Sequence, residues 1–326
     1  MGLAGTALFG LQSREPSGPG KPGGKGRPAA PGLAWSTVVN VIRSIPHLKS
    51  AYEYCREIVK RSAGNFFLAF QLLPRTKRYG IYAVYAFCRA ADDAVDELPE
   101  PSLRRAALTL VKRALERVYR GNPKTPMELA LADTVGRYRL TKRYFDDLIL
   151  GMEGDIGPVA LNTIDELDEY CYRAAGTVGL LCIEIFGVAG EQAKRYAVSL
   201  GRALQLTNVI RDLRADAIRG RVYVPRELLE AHGVTVEDIA HGRRSSHVET
   251  LVRALIALAE AAYEEAERLL PRGAARKLLT SEAMRRVYHA LLAKIEEDPQ
   301  RVLTHRVRLT PWRKAGEVLT AITVIR

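Results

Sequence analysis

The chain has 326 residues, 47% of them hydrophobic, and a formal net charge of +12. That length buries a large core, and no run reaches the roughly 18 apolar residues that a membrane-spanning helix needs. The basic excess raises nucleic acid as a partner, but it is scattered, in Lys21, Lys25 and Arg27 and again in Arg301, Arg306, Arg308, Arg313 and Lys314. No reader motif accompanies it, so no nucleic-acid partner is expected; a basic surface for anionic substrates and lipid headgroups explains the balance equally well.

At the N-terminus no basic leader precedes the short apolar patch, against a secretory signal. Residues 13–31 are crowded with Gly, Pro, Lys and Ser and cannot bury enough apolar surface to offset ordering. We therefore expect a disordered tail over 1–34, order from near Trp35, and a single all-α domain over 35–326. Cys55, Cys88, Cys171 and Cys182 lie in helical patterns without paired spacing, which reads as buried thiols in a reducing cytoplasm.

From Leu48 onward the apolar residues recur with a 3.6-residue period, and strand-like alternation is confined to Arg221-Val222-Tyr223-Val224. Helices are predicted over 49–62, 76–97, 101–120, 127–137, 141–154, 164–186, 190–217, 248–270 and 275–296, separated by Gly and Pro breakers. No repeat of 20–50 residues marks a solenoid. Ahead of the second helix, Arg61-Ser62-Ala63-Gly64-Asn65-Phe66 is either a phosphate-binding helix entrance or a plain capped loop.

The second helix carries the first chemical signal. Asp92 and Asp96 are four residues apart, with Arg89 and Tyr85 one and two turns earlier on nearly the same face. A helix turns about 100° per residue, so a step of four drifts only about 40° and rises roughly 6 Å. The preceding Ile81 to Cys88 are apolar and aromatic, and acids clustered where water is scarce are costly unless a cation compensates them. Asp146, Asp147 and Asp155 form no such stripe and read as surface acids. Over 168–181, Gly176 and Gly179 weaken a helix by about 1 kcal/mol each relative to Ala. Either a neighbouring helix packs closely there, or a lipid chain or cation lodges against the backbone.

A second stripe lies in 205–225, where Asn208, Asp212 and Asp216 recur every four residues behind Gln205, ringed by Arg211, Arg214, Arg219 and Arg221. Hard oxygen ligands beside guanidinium groups suit Mg²⁺ together with a phosphate. The two stripes are expected to face each other across a central cavity of a helical bundle. The end of the chain, from Thr310, mixes basic residues with Trp312, Leu319, Ile322 and Val324 and reads as a helix docking on the bundle or touching a membrane.

These residues resemble the squalene/phytoene synthase family of head-to-head prenyl transferases over about 54–308. The matches are Leu72-Leu73-Pro74, the run from Tyr85 to Glu97, the run from Tyr170 to Leu181 and the run from Leu206 to Pro225. The resemblance implies an isoprenoid-synthase-type bundle with two or three Mg²⁺ ions held by Asp92, Asp96, Asn208, Asp212 and Asp216. It implies prenyl diphosphates contacted by Tyr85, Arg89, Gln205 and Arg211, with Tyr288 a further substrate contact, and Tyr170 near the reacting carbocation. Arg221 and Tyr223 fall in a segment that in the family folds over the site. Ser62 and Asn65 stand where the family has a serine-rich element, from which this chain departs.

The run from Asn208 to Pro225 and the ending from Arg301 to Lys314 resemble most closely the bacterial presqualene diphosphate synthases of hopanoid pathways, which join two farnesyl diphosphates; phytoene synthases, which join two geranylgeranyl diphosphates, are the rival. Two carbocation-prone substrates need a dry cavity, and the proton lost on closing the cyclopropane goes to a tyrosine or to the released diphosphate. NADPH would enter only for a reductive finish. A cytoplasmic enzyme, in peripheral contact with membrane lipid at the inner membrane face and with downstream lipid-pathway enzymes, fits this reading. A non-catalytic prenyl-diphosphate-binding assembly partner would instead bind without turnover.

Overall fold

A computed structural model describes residues 47–271 and 273–324, the side chain of Asn65 excepted. The expected tail, and the start of order near Trp35, lie outside the described residues.

The periodic segments form helices. The first half comprises α1 (Leu48–Ser62), α2 (Gly64–Phe70), α3 (Arg75–Asp96), α4 (Pro101–Tyr119), α5 (Pro126–Tyr138) and α6 (Lys142–Gly154). After a short strand, β1 (Val159–Ala160), come α7 (Ile164–Cys171), a π-turn (Tyr172–Gly176), α8 (Thr177–Phe186) and the long α9 (Glu191–Ile218). Beyond β2 (Arg221–Val222) follow α10 (Arg226–Ala231), α11 (Val236–Ala240), α12 (Ser246–Leu269), α13 (Leu279–Glu296), a 3₁₀ turn (Pro299–Leu303) and α14 (Pro311–Val324). Side-chain caps start several of them: Thr125, Thr163 and Ser245 each accept from an otherwise unpaired first-turn N–H.

Packing sets the relation between the two acid-bearing helices. α3 packs against α1, α4, α5 and α8, while α9 packs against α8, the π-turn, α12 and α13. α8 therefore touches both. Its approach to α9 is close enough to require glycine. A Cβ on Gly201 would meet the backbone of Ala175 and Gly176 at 2.8 Å, and one on Gly179 would meet the Ala197 carbonyl oxygen at 2.6 Å. Helix packing, rather than a lodged lipid or cation, accounts for the small residues of this region.

The structure departs from the predicted elements in three places. The single helix expected over 164–186 is broken by the π-turn, which holds one extra residue in the coil. The short α2, α10 and α11 are too brief to show a period. The expected strand-like run at 221–224 is realised as a two-residue parallel pairing, Val159 opposite Arg221. Gly220, at φ +74°, turns the chain out of α9 into that pairing. α14 packs on α13 and α2, as a docking helix would, and leaves Trp312, Leu319 and Val324 exposed. No described helix is long and apolar enough to cross a membrane. All four cysteines are free thiols whose ionisation burial suppresses.

Candidate active site

Both acid stripes are inside the protein. Asp92 and Asp216 are each 2% exposed, and Asn208 is fully buried. Asp92 Oδ1, Asn208 Oδ1 and both carboxylate oxygens of Asp216 accept no hydrogen bond; Arg219 stands 3.9 Å from Asp216 Oδ1. Burial pushes the Asp92 carboxyl well above its ordinary range, with Arg89 opposing and Asp96 and Asp93 adding to the rise. Burial does the same to Asp216, reinforced by Asp212 and opposed by Arg219, Arg221 and Arg211. Buried carboxylates without donors are expensive in a metal-free protein.

The other two acids are held by arginines. Asp96 Oδ1 accepts from Arg221 at 2.7 Å. Asp212 pairs with its neighbour Arg211 and with Arg306 Nε at 2.8 Å. Burial alone would raise Asp212, but the two guanidiniums outweigh it and hold the carboxyl below its ordinary value. Burial and the adjacent Arg211 in turn lower Arg306.

The segment after α9 ties the two acid-bearing helices together. From β2, Arg221 reaches Asp96 on α3 and donates to the Asp155 carbonyl at 3.0 Å. Tyr223 donates to Asp155 Oδ1 at 2.9 Å and stacks on Tyr170 with ring centroids 4.3 Å apart. Gln205 donates to the Tyr170 hydroxyl at 3.0 Å and accepts from the Asn208 amide at 3.3 Å. A continuous polar path thus runs from Asp96 through Arg221, Asp155, Tyr223, Tyr170 and Gln205 to Asn208.

On the far side, Tyr288 is fully buried, lies beside Arg211 and stacks on Phe66 at 5.3 Å. Tyr85 is buried beside the Ser62 hydroxyl, which itself donates to the Ile58 carbonyl at 2.7 Å. Arg89 pairs with Asp93 and, at 3.4 Å, with Glu97. The Asn65 side chain lies outside those described.

Two expectations are corrected. Asp155 is not a surface acid: it is 6% exposed, and burial, opposed by Arg221 and the Tyr223 hydrogen bond, pushes its carboxyl up to about 7. It stands alone at the end of α6, so no spacing marks it. Arg306 is not part of a scattered surface excess; it is folded back onto Asp212. Nothing in its local sequence sets it apart from Arg301 or Arg308.

Among the described residues, no three Asp, Glu, His or Cys side chains converge closely enough to hold a metal ion by themselves. The unpartnered oxygens of Asp92, Asn208 and Asp216 nonetheless fit Mg²⁺. That ion needs only one or two protein carboxylates when water and phosphate oxygens complete its octahedron. The arginines alongside supply the phosphate partners.

Comparison with known proteins agrees with the bundle and the motifs. Residues 59–313 match the family described as squalene/phytoene synthase. A phytoene synthase of Arthrospira platensis is 34% identical over 279 residues, covering 81% of this chain and 90% of that protein. A 15-cis-phytoene synthase of Synechococcus elongatus is 33% identical over 284 residues, covering 83% and 92%. Among solved structures, a ligand-bound dehydrosqualene synthase superposes with a TM-score of 0.75 at 27% identity, over 85% of this chain and 97% of that one. The squalene synthase HpnC of Alicyclobacillus acidocaldarius gives 0.71 at 32% identity, over 80% and 98%. The fold and motifs define an isoprenoid-synthase-type prenyltransferase. The chain belongs to the squalene/phytoene synthase family.

Proposed function

We propose that the protein condenses two farnesyl diphosphates head to head into a cyclopropylcarbinyl diphosphate of the presqualene type. One observation carries the diphosphate and metal part of this reading: the donor-free buried oxygens of Asn208 and Asp216 lie on the same helix as Asp212, onto which Arg211 and Arg306 already crowd. Asp92, Asp96, Asn208, Asp212 and Asp216 would hold Mg²⁺, which when bound supplies Lewis-acid neutralisation of the departing pyrophosphate.

The chain's own groups do the rest. Arg211 and Arg306 share one carboxylate, so an incoming diphosphate gives each guanidinium a fuller set of anionic oxygens. Arg89, Tyr85 and Ser62 line the approach on the side of α3, and Tyr288 backs Arg211 from the side of α13. The first substrate ionises to an allylic cation as its pyrophosphate leaves. The 2,3-double bond of the second attacks that carbon, and loss of a proton closes the three-membered ring. The stacked faces of Tyr170 and Tyr223 stabilise positive charge without attacking it, and the burial of Tyr223 keeps water from that ring. Gln205 holds the Tyr170 hydroxyl, which fixes that ring's orientation.

The likeness to the structure named squalene synthase HpnC supports the fifteen-carbon reading. A second reading, condensation of two geranylgeranyl diphosphates, is supported by relatives named phytoene synthase. Purified protein incubated with Mg²⁺ and each diphosphate, with and without NADPH, followed by identification of the lipid, distinguishes them. The expected outcome is pyrophosphate release and a thirty-carbon cyclopropyl diphosphate without NADPH. Tight binding of both diphosphates without release would overturn the enzymatic reading.

A further inference from the structure

A narrow apolar pocket lies between α8, α9 and α13. It is lined along α9 by Leu204, Leu200 and Tyr196, and on α8 and α13 by Ile183, Phe186 and Met284. Leu204 lies one helical turn before Asn208, so α9 itself measures the depth. The twelve residues from Asn208 back to Tyr196 span about 18 Å at about 1.5 Å per residue. One isoprene repeat contributes four main-chain carbons and, with C–C bonds of about 1.5 Å, extends about 5 Å. Three repeats, about 15 Å on the same bond length, end short of Tyr196; a fourth, reaching about 20 Å, runs into it.

Tyr196 is also braced, unlike a residue that merely fills space. Its hydroxyl donates to Glu282 Oε1 at 2.8 Å, and Glu282 Oε2 accepts from Arg285 Nε at 2.9 Å. Tyr196 is fully buried and Glu282 is 4% exposed, so swinging the ring aside would strand a buried carboxylate oxygen. Behind it, the end of α8 is pinned by Lys77 and Lys277, which donate to the carbonyls of Phe186 and Gly187 at 2.7 and 3.1 Å. Tyr196 and the end of α8 are thus both held in place.

We propose that Tyr196, braced by Glu282, is the stop that limits the prenyl chain to three isoprene units. The proposal rests on the function proposed above and adds a specificity-determining residue to it. Tyr196 would meet the tail of the substrate, about three turns of α9 from Asn208.

The test compares kcat/KM for the ten-, fifteen- and twenty-carbon diphosphates across the wild type, Tyr196→Ala, Tyr196→Phe, Glu282→Gln and Leu200→Phe, with thermal unfolding as a check on folding. Tyr196→Ala is expected to shift the preference for twenty over fifteen carbons by about tenfold or more, the scale of rejection by a hydrophobic pocket. Tyr196→Phe and Glu282→Gln keep a ring or an acceptor in place and should leave the preference near that of the wild type. Leu200→Phe moves the stop a turn toward the metal site and should favour ten carbons, which keeps the test decisive should Tyr196→Ala not fold. A wild type that already takes twenty carbons as readily as fifteen overturns the proposal. So do Tyr196→Ala and Leu200→Phe variants that turn over with an unchanged preference. Absence of pyrophosphate release from every diphosphate would overturn the proposed function itself.

Discussion

Asp216→Asn sets folding against function at one atom. Both carboxylate oxygens of Asp216 are buried without a hydrogen bond, and burial, aided by Asp212, drives the group toward its neutral form. An unsatisfied buried polar group costs about 1–3 kcal/mol and a charged one more. The amide keeps the shape and removes the charge, so the metal-free variant should be more stable than the wild type by about 1–3 kcal/mol. For a chain of this size that is roughly 2–4 °C in Tm per kcal/mol. Mg²⁺ with pyrophosphate should raise the Tm of the wild type and narrow or reverse the gap, because the ligand stabilises only a protein that binds it. Turnover should fall about 100-fold or more, as several kcal/mol of charge neutralisation are lost. The assay is thermal unfolding in chelator and in Mg²⁺ with pyrophosphate, paired with pyrophosphate release. A variant less stable than the wild type in chelator, or one that keeps full turnover, would refute the assignment of those oxygens to a cation.

Other outcomes follow from neighbouring features. Arg306→Gln removes one of two guanidiniums on Asp212 and leaves a neutral pair, so metal-free stability should change little, while KM for the prenyl diphosphate rises about tenfold or more with the loss of a charge-assisted contact; an unchanged KM would leave Arg306 a purely structural partner. Gly201→Ala places a Cβ 2.8 Å from the backbone of the π-turn and should lower stability by about 1–3 kcal/mol despite the better helix propensity, read by denaturant titration; a gain in stability would contradict the close approach. Asp155 is raised to about 7 by burial, so the folded protein holds that proton more tightly than the unfolded chain, whose carboxyl titrates near about 3.9. Its contribution is complete below about pH 4 and is lost as the pH rises through about 7, up to about 4 kcal/mol at about 1.4 kcal/mol per factor of ten. Denaturation at pH 5 and pH 8 should show a smaller difference for Asp155→Asn than for the wild type; equal slopes would refute the burial effect.

How much of this was legible in the sequence depends on whether a residue belongs to a pattern. The helices and both acid stripes announce themselves by period, because 3.6-residue spacing and steps of four are statements about one face of one element. Asp155 and Arg306 belong to no period: each reaches the site from a loop or a helix end through long-range packing, beside Tyr223 and Asp212 respectively. The division of the acids into orphaned and arginine-held ones was equally hidden, since Asp96 and Asp92 look alike until Arg221 arrives from more than a hundred residues away. Gly176 and Gly179 did signal a close approach, but only the packed structure shows that the visitor is α9.

The π-turn at Tyr172–Gly176 has a consequence for how this chain could change. An unbroken α-helix from α7 into α8 that kept every residue would rotate everything before the turn by about 100° relative to everything after. Tyr170 would then swing off Tyr223 while Gly179 stayed on α9. Changes that regularise the helix at full length would misdirect the aromatic pair, whereas losing the one extra residue along with the π-turn would keep both flanks in register.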